Sequence, residues 1–163
     1  MTLARQQTCA RRKSQAGLTL VELVVAFTIM ALLTTMAVPL ARYKVQRDKE
    51  RELRFALREM RKAIDDYKDA SLAGKIEVKL GTDGYPENLQ VLVDGIKLLQ
   101  DPTGKKIKFL RRIPLDPITN MREWGMHSTQ DDPASQSWGR QNVFDVYTKS
   151  FDRARDGTLY SEW

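Results

Sequence analysis

The sequence predicts an α+β fold in which one long N-terminal helix packs on a small antiparallel β-sheet head. Three observations predict it. Residues 18–41 (LTLVELVVAFTIMALLTTMAVPLA) are apolar apart from Glu22 and a few threonines. Residues 42–73 follow without Pro or Gly and are dense in helix formers. From residue 76 the pattern shortens, and brief extended runs alternate with turn-forming residues. The chain therefore divides into residues 1–17, 18–41, 42–73 and a head over 74–163.

The first segment is polar and basic. Arg5, Arg11, Arg12 and Lys13 fall there with no acid, so they carry four of the six net positive charges. From residue 18 onward 23 basic side chains face 21 acidic ones, which does not imply a nucleic-acid-binding surface on the body. Cys9 is the single cysteine and excludes both an intrachain disulfide and a Cys-rich metal site. It reads as an incidental thiol. His127 is the single histidine and leaves Ser-His-Asp chemistry only one candidate base. No nucleophile context surrounds it, so a solvent-facing loop histidine is expected and no enzyme is.

As a helix, residues 18–41 extend roughly 36 Å, enough to cross a bilayer core of about 30 Å. The run from Leu23 to Ala41 holds 19 residues without a charge. A buried core helix normally keeps one polar stripe, and this segment is apolar all round. It reads as a single-pass transmembrane helix with its N-terminus inside. Basic residues flank both ends, but the charge rule weakens for long translocated segments, and 122 residues follow Ala41. A removable signal peptide, with small-residue cleavage options at 37–41, is the alternative, although the apolar run exceeds the usual length for one. Glu22 either reaches the headgroups or meets a positive partner in an assembled state. Pro39 cannot donate to the helix ladder, and so either bends or loosens it or marks the membrane exit.

The junction Arg12-Lys13-Ser14-Gln15-Ala16-Gly17 followed by Leu18-Thr19-Leu20-Val21-Glu22-Leu23 resembles the leader junction of type IV pilins and type II secretion pseudopilins. The resemblance implies that residues 1–17 are a class III (prepilin) leader cut by a membrane peptidase after Gly17. Leu18 then becomes the N-methylated terminus, Glu22 the fifth-position glutamate that guides assembly, and Pro39 the helix proline of the family. In that family the first mature residue is more often Phe or Met than Leu.

Within 42–73, Leu53, Leu57, Met60, Ile64, Tyr67 and Ser71 recur at alternating spacings of four and three, an apolar seam on an otherwise charged helix. Gly74 supplies a stop. Ile76–Leu80 alternates like a strand, residues 82–86 read as a turn, and Glu87–Leu99 as a short helix. Residues 109–117 are extended and proline-limited. Glu123–Met126 and Val143–Tyr147 are candidate antiparallel strands around a polar loop at 127–142.

Asp83-Gly84-Tyr85-Pro86, Leu89, Leu92-Val93 and Phe109-Leu110-Arg111-Arg112-Ile113-Pro114-Leu115-Asp116-Pro117 with Asn120 resemble the major pseudopilin of type II secretion systems. So do Asp145-Val146-Tyr147 and the run from Asp156 to Trp163. The paired C-terminal cysteines of disulfide-looped pilins are missing from the sequence. What the resemblance implies is a pilin-like structural subunit of a periplasmic pseudopilus, anchored in the inner membrane with its head in the periplasm. Its partners would be further copies of itself, the prepilin peptidase, an inner-membrane assembly platform and minor subunits. A type IV pilin or a single-pass membrane-anchored module is the alternative. Major pseudopilins bind calcium in a C-terminal loop, which makes Asp145, Asp152 and Asp156, with Ser150, candidate oxygen ligands; turn aspartates more often cap backbone groups. Trp124, Trp138 and Trp163 read as core and chain-end anchors.

Overall fold

A computed structural model of the chain describes residues 17, 19–99, 104–132 and 135–163, apart from the side chains at 36, 38 and 40. Most of the expected leader, with Cys9, and the expected first mature residue Leu18 lie outside the described residues. The chain divides into two compact units, residues 1–43 and 44–163. Helix α1 (Leu20–Leu72) supplies the described helix of the first and the long element of the second. The architecture is α+β with small antiparallel sheets, consistent with a pilin-like fold.

In the first unit α1 begins one residue after Thr19 and runs through Pro39 without ending there. Pro39 therefore does not mark the end of the helix. Its ring nitrogen has no hydrogen to give the Thr35 carbonyl one turn back.

In the second unit the α1 seam is the core. Leu53, Leu57, Met60, Ile64 and Tyr67 are all buried, each such apolar side chain contributing about 1.5–3 kcal/mol. The helix stops in a Schellman arrangement. Gly74 adopts φ +64°, its N–H donates to Ser71 O (3.0 Å), and the Lys75 N–H donates to Ala70 O (3.0 Å).

Helix α2 (Leu89–Asp94) is capped by Asn88, whose Oδ1 accepts from Val91 N at 3.1 Å. It ends at Gly95, which takes φ +78°. The expected helix over 87–99 is thus shorter, because its last third turns over at that glycine into strand β1 (Ile96–Lys97), paired antiparallel with β2 (Lys106–Ile107). The expected strand at 76–80 reduces to one bridge, Ile76 to Leu98. Only Ile76 of that run is buried, and among the described residues the rest forms no ladder.

Strands β3 (Trp124–His127) and β4 (Asp145–Thr148) pair antiparallel, with Trp124 opposite Thr148 and His127 opposite Asp145. Gly125 lies under the Tyr147 ring, where a Cβ would stand 2.2 Å from the ring carbons, so only glycine fits. The intervening loop is tied by Asn142, buried, whose carbonyl accepts from Ser128 Oγ (2.9 Å) and Trp138 Nε1 (2.8 Å). Asp131 caps it by accepting from Ser128 N (2.8 Å) and Gly139 N (3.1 Å). These backbone donors hold its carboxyl below the usual carboxylate range.

Candidate processing and assembly site

The start of α1 carries a side-chain cap that sequence reasoning passed over. Thr19 occupies the cap position, and its Oγ1 accepts from Glu22 N at 3.3 Å, while its carbonyl accepts the first helical bond from Leu23 N at 3.1 Å. The signal was present as Thr19-x-x-Glu22, but Glu22 drew attention as a charge in an apolar run rather than as the third residue of a helix. Its carboxylate lies in the first turn, where the helix macrodipole favours an anion by about 0.3–1 kcal/mol. Glu22 therefore has a local role in starting the helix in addition to any intermolecular one.

Gly17 is exposed, and a Cβ built on it meets nothing within 4 Å. Its φ lies outside the left-handed region. Among the described residues nothing requires glycine at that position.

Around and beyond Glu22 the helix shows apolar side chains on every side. Leu20, Val21, Phe27, Met30, Leu32 and Leu33 are each more than 60% exposed. The hydroxyls in this stretch are turned inward on the backbone. Thr28 Oγ1 donates to Val25 O, Thr34 Oγ1 to Met30 O and Thr35 Oγ1 to Ala31 O, each at 2.8 Å. This leaves an apolar exterior without dangling donors. No helix among the described residues is long and apolar enough to cross a membrane. Its uninterrupted described run, Leu20 to Thr35, covers only roughly 24 Å at about 1.5 Å per residue, against a bilayer core of about 30 Å; the side chains at 36, 38 and 40 lie outside the description.

In the head, the calcium candidates have other partners. Asp145 accepts from Arg61 Nε at 2.6 Å and from the same guanidinium on its second oxygen at 3.2 Å. Asp156 Oδ1 accepts from Thr158 Oγ1 (2.6 Å) and Thr158 N (3.0 Å), bonds that lower its pKa. Asp152 meets its surroundings through its backbone, its N–H donating to Ser150 Oγ (3.1 Å) and its carbonyl accepting from Tyr160 N (3.1 Å). Among the described residues no group of three or more His, Cys, Asp or Glu side chains is placed to hold a metal ion. The three aspartates are therefore not gathered into such a group.

What Arg61 does instead was not legible. Its Nη2 also donates to Trp163 O (2.8 Å) and Val146 O (3.2 Å), so one guanidinium ties α1, β4 and the last described residue together. Arg54 lies 4.1 Å over the Trp163 ring, and Tyr160 Oη donates to Glu50 at 3.0 Å. Trp163 is thus an anchor, as expected, and so is Trp124, buried with its indole N–H on Pro114 O (3.0 Å). Trp138 packs half-buried against the core. His127 is not a solvent-facing loop residue. It closes β3, half-buried, with its ring 4.6 Å from Tyr147, because the strand runs one residue further than its sequence pattern suggests.

Neither a curated protein nor a solved structure matches the chain. Residues 12–38, which contain Gly17, the Thr19 cap, Glu22 and the apolar run up to one residue before Pro39, match the prokaryotic N-terminal methylation motif, and that match supports a type IV pilin-like family.

Proposed function

We propose that the chain is the precursor of a structural filament subunit, and that the filament is a pseudopilus serving type II secretion. The observation that carries the reading is the apolar exterior of α1 directly after a methylation motif. That much apolar surface on one helix needs a cover, first lipid and then the helices of other copies. The family it points to is structural rather than enzymatic. Pseudopilus rather than pilus duty rests on the resemblance of residues 83–117 and 145–163 to major pseudopilins and on the missing cysteine pair.

On this reading the peptidase hydrolyses the Gly17–Leu18 bond, and the freed amine of Leu18 is methylated and stays cationic near neutral pH. That ammonium lies four residues before Glu22. In an assembly, a neighbour's ammonium at about 4 Å from Glu22 contributes on the order of 4 kcal/mol at an effective dielectric of 20, before desolvation is set against it. The pair registers one subunit against the next, while apolar helix packing supplies cohesion. Before assembly α1 anchors the subunit in the inner membrane with its head in the periplasm. Pro39 loosens the ladder where packed helices adjust.

Two substitutions test this in cells. Gly17→Ala is expected to keep residues 1–17 attached and to abolish filaments, since no described residue lies within 4 Å of the added methyl group. Glu22→Val is expected to be processed but to fail in assembly, with the head folded by tryptophan fluorescence. Normal filaments from either variant would remove the role assigned to that residue.

A further inference from the structure

The head carries a hole and a knob that do not meet within one copy. The hole is a cavity of about 370 Å³ lined by Tyr67, Glu77, Glu87 and Asp94, with Val91 and Ile96 among its apolar walls. Lys79 also lines it and pairs with Glu87 at 2.5 Å, which leaves it two negative charges in excess. Tyr67 is 5% exposed and its ring borders this space. Burial, and then the Glu87 charge, push that phenol above its ordinary pKa. The hole thus combines apolar walls, a phenol and acidic side chains.

The knob is the loop after β4. Phe151 is 76% exposed, an aromatic ring with almost nothing covering it. Lys149 and Arg153 flank it two residues away on either side, both exposed. Lys149 makes only a long 3.5 Å contact with Glu123, and Arg153 bonds the Gly157 carbonyl, which leaves both cations at the surface. Another cleft of the head, about 830 Å³, is lined by five arginines (Arg51, Arg58, Arg111, Arg112 and Arg122) against Glu52 and Glu59, a net positive lining that disfavours such a knob.

We propose that the Phe151 loop of one copy docks in the Tyr67–Glu77–Asp94 cavity of a second copy. The ring fills the apolar interior, and Lys149 and Arg153 face Glu77 and Asp94 at the rim. A cavity of this volume accommodates one aromatic side chain with room for its flanking backbone. The contact is heterologous, because the knob and the hole are different patches. Each copy therefore keeps a free knob and a free hole, which propagates a chain of copies rather than closing a two-fold dimer. The inference rests on the filament reading and names which head surfaces meet in it.

The test uses the full chain in its native membrane, in a Cys9→Ser background, with Glu77→Cys and Asp152→Cys combined, which keeps the Phe151 ring and places a thiol on the exposed residue beside it. Mild oxidation is expected to give a ladder of multimers, with neither single-cysteine variant forming disulfide-linked species. Independently, Phe151→Ala is expected to cut the multimers trapped by an amine-reactive cross-linker at least about tenfold, with unchanged helix content and unchanged removal of residues 1–17. Multimers trapped by the amine reagent but no 77–152 ladder would overturn the docking and leave the subunit reading standing. Disulfide dimers of the Asp152→Cys single variant would overturn it in favour of a symmetric contact. No multimers with any reagent would overturn both.

Discussion

Asp116 is the side chain whose removal the head tolerates least. It is fully buried, and its Oδ1 accepts from Ile118 N at 2.8 Å while Oδ2 accepts the Thr148 hydroxyl, also fully buried. The carboxylate thereby fastens the 113–121 loop to β4. Asp116→Ala strands both donors. Two hydrogen bonds to a charged acceptor, at about 1.5 kcal/mol each, give a loss of about 3 kcal/mol, taking the low end because a desolvated charge disappears as well. That is more than a hundredfold in the folded-to-unfolded ratio. Thr148→Val keeps the shape but leaves a carboxylate oxygen short of a donor and takes away the acceptor of Ser150 N (3.1 Å). The double variant is expected to lose less than the sum of the singles by about 1–2 kcal/mol. Chemical denaturation of the detergent-solubilised chain reads this directly, since Trp124 bonds the same loop through Pro114 O. A loss below about 1 kcal/mol for Asp116→Ala, or strict additivity, would refute the reasoning.

Gly125→Ala is expected to displace the Tyr147 ring and cost about 2–3 kcal/mol in the same assay. Arg61→Ala severs a pair in which both side chains are 37% exposed, so after discounting for solvent the expected loss is only about 1 kcal/mol, with a change in Trp163 fluorescence. Asp131 titrates below its ordinary pKa when folded; its contribution is present above the unfolded carboxylate value and is lost as pH falls through the folded one. The 127–142 loop should therefore hold at pH 5 and loosen only below about pH 4, a dependence that Asp131→Asn removes in an acid titration by circular dichroism. Calcium addition or chelation is expected to leave the melting temperature unchanged, because Asp145 and Asp156 already have protein partners.

The long helix was legible because its causes are local: an apolar run, then helix formers with a seam at alternating spacings, then Gly74. Strands β3 and β4 were legible to within a residue or two for the same reason. The β1–β2 pair was not, since strands of two residues carry no periodicity. The run at 76–80 alternates like a strand but remains mostly exposed, so pattern without a partner misled. At the N-terminus the Gly17–Glu22 spacing was legible, whereas the role of Thr19 needed the observed start of the helix. The Arg61–Asp145 pair joins positions 84 apart in the chain. Nothing in the local sequence of either residue announces the other, and for that reason Asp145 was open to being taken for a metal ligand.

The central claim is that this chain becomes a filament subunit by losing its first 17 residues. Intact-mass and N-terminal peptide mass spectrometry on the protein from its native membrane tests it most directly. The account predicts a chain that begins at N-methylated Leu18. A chain that begins at Met1, or beyond Ala37, would contradict it.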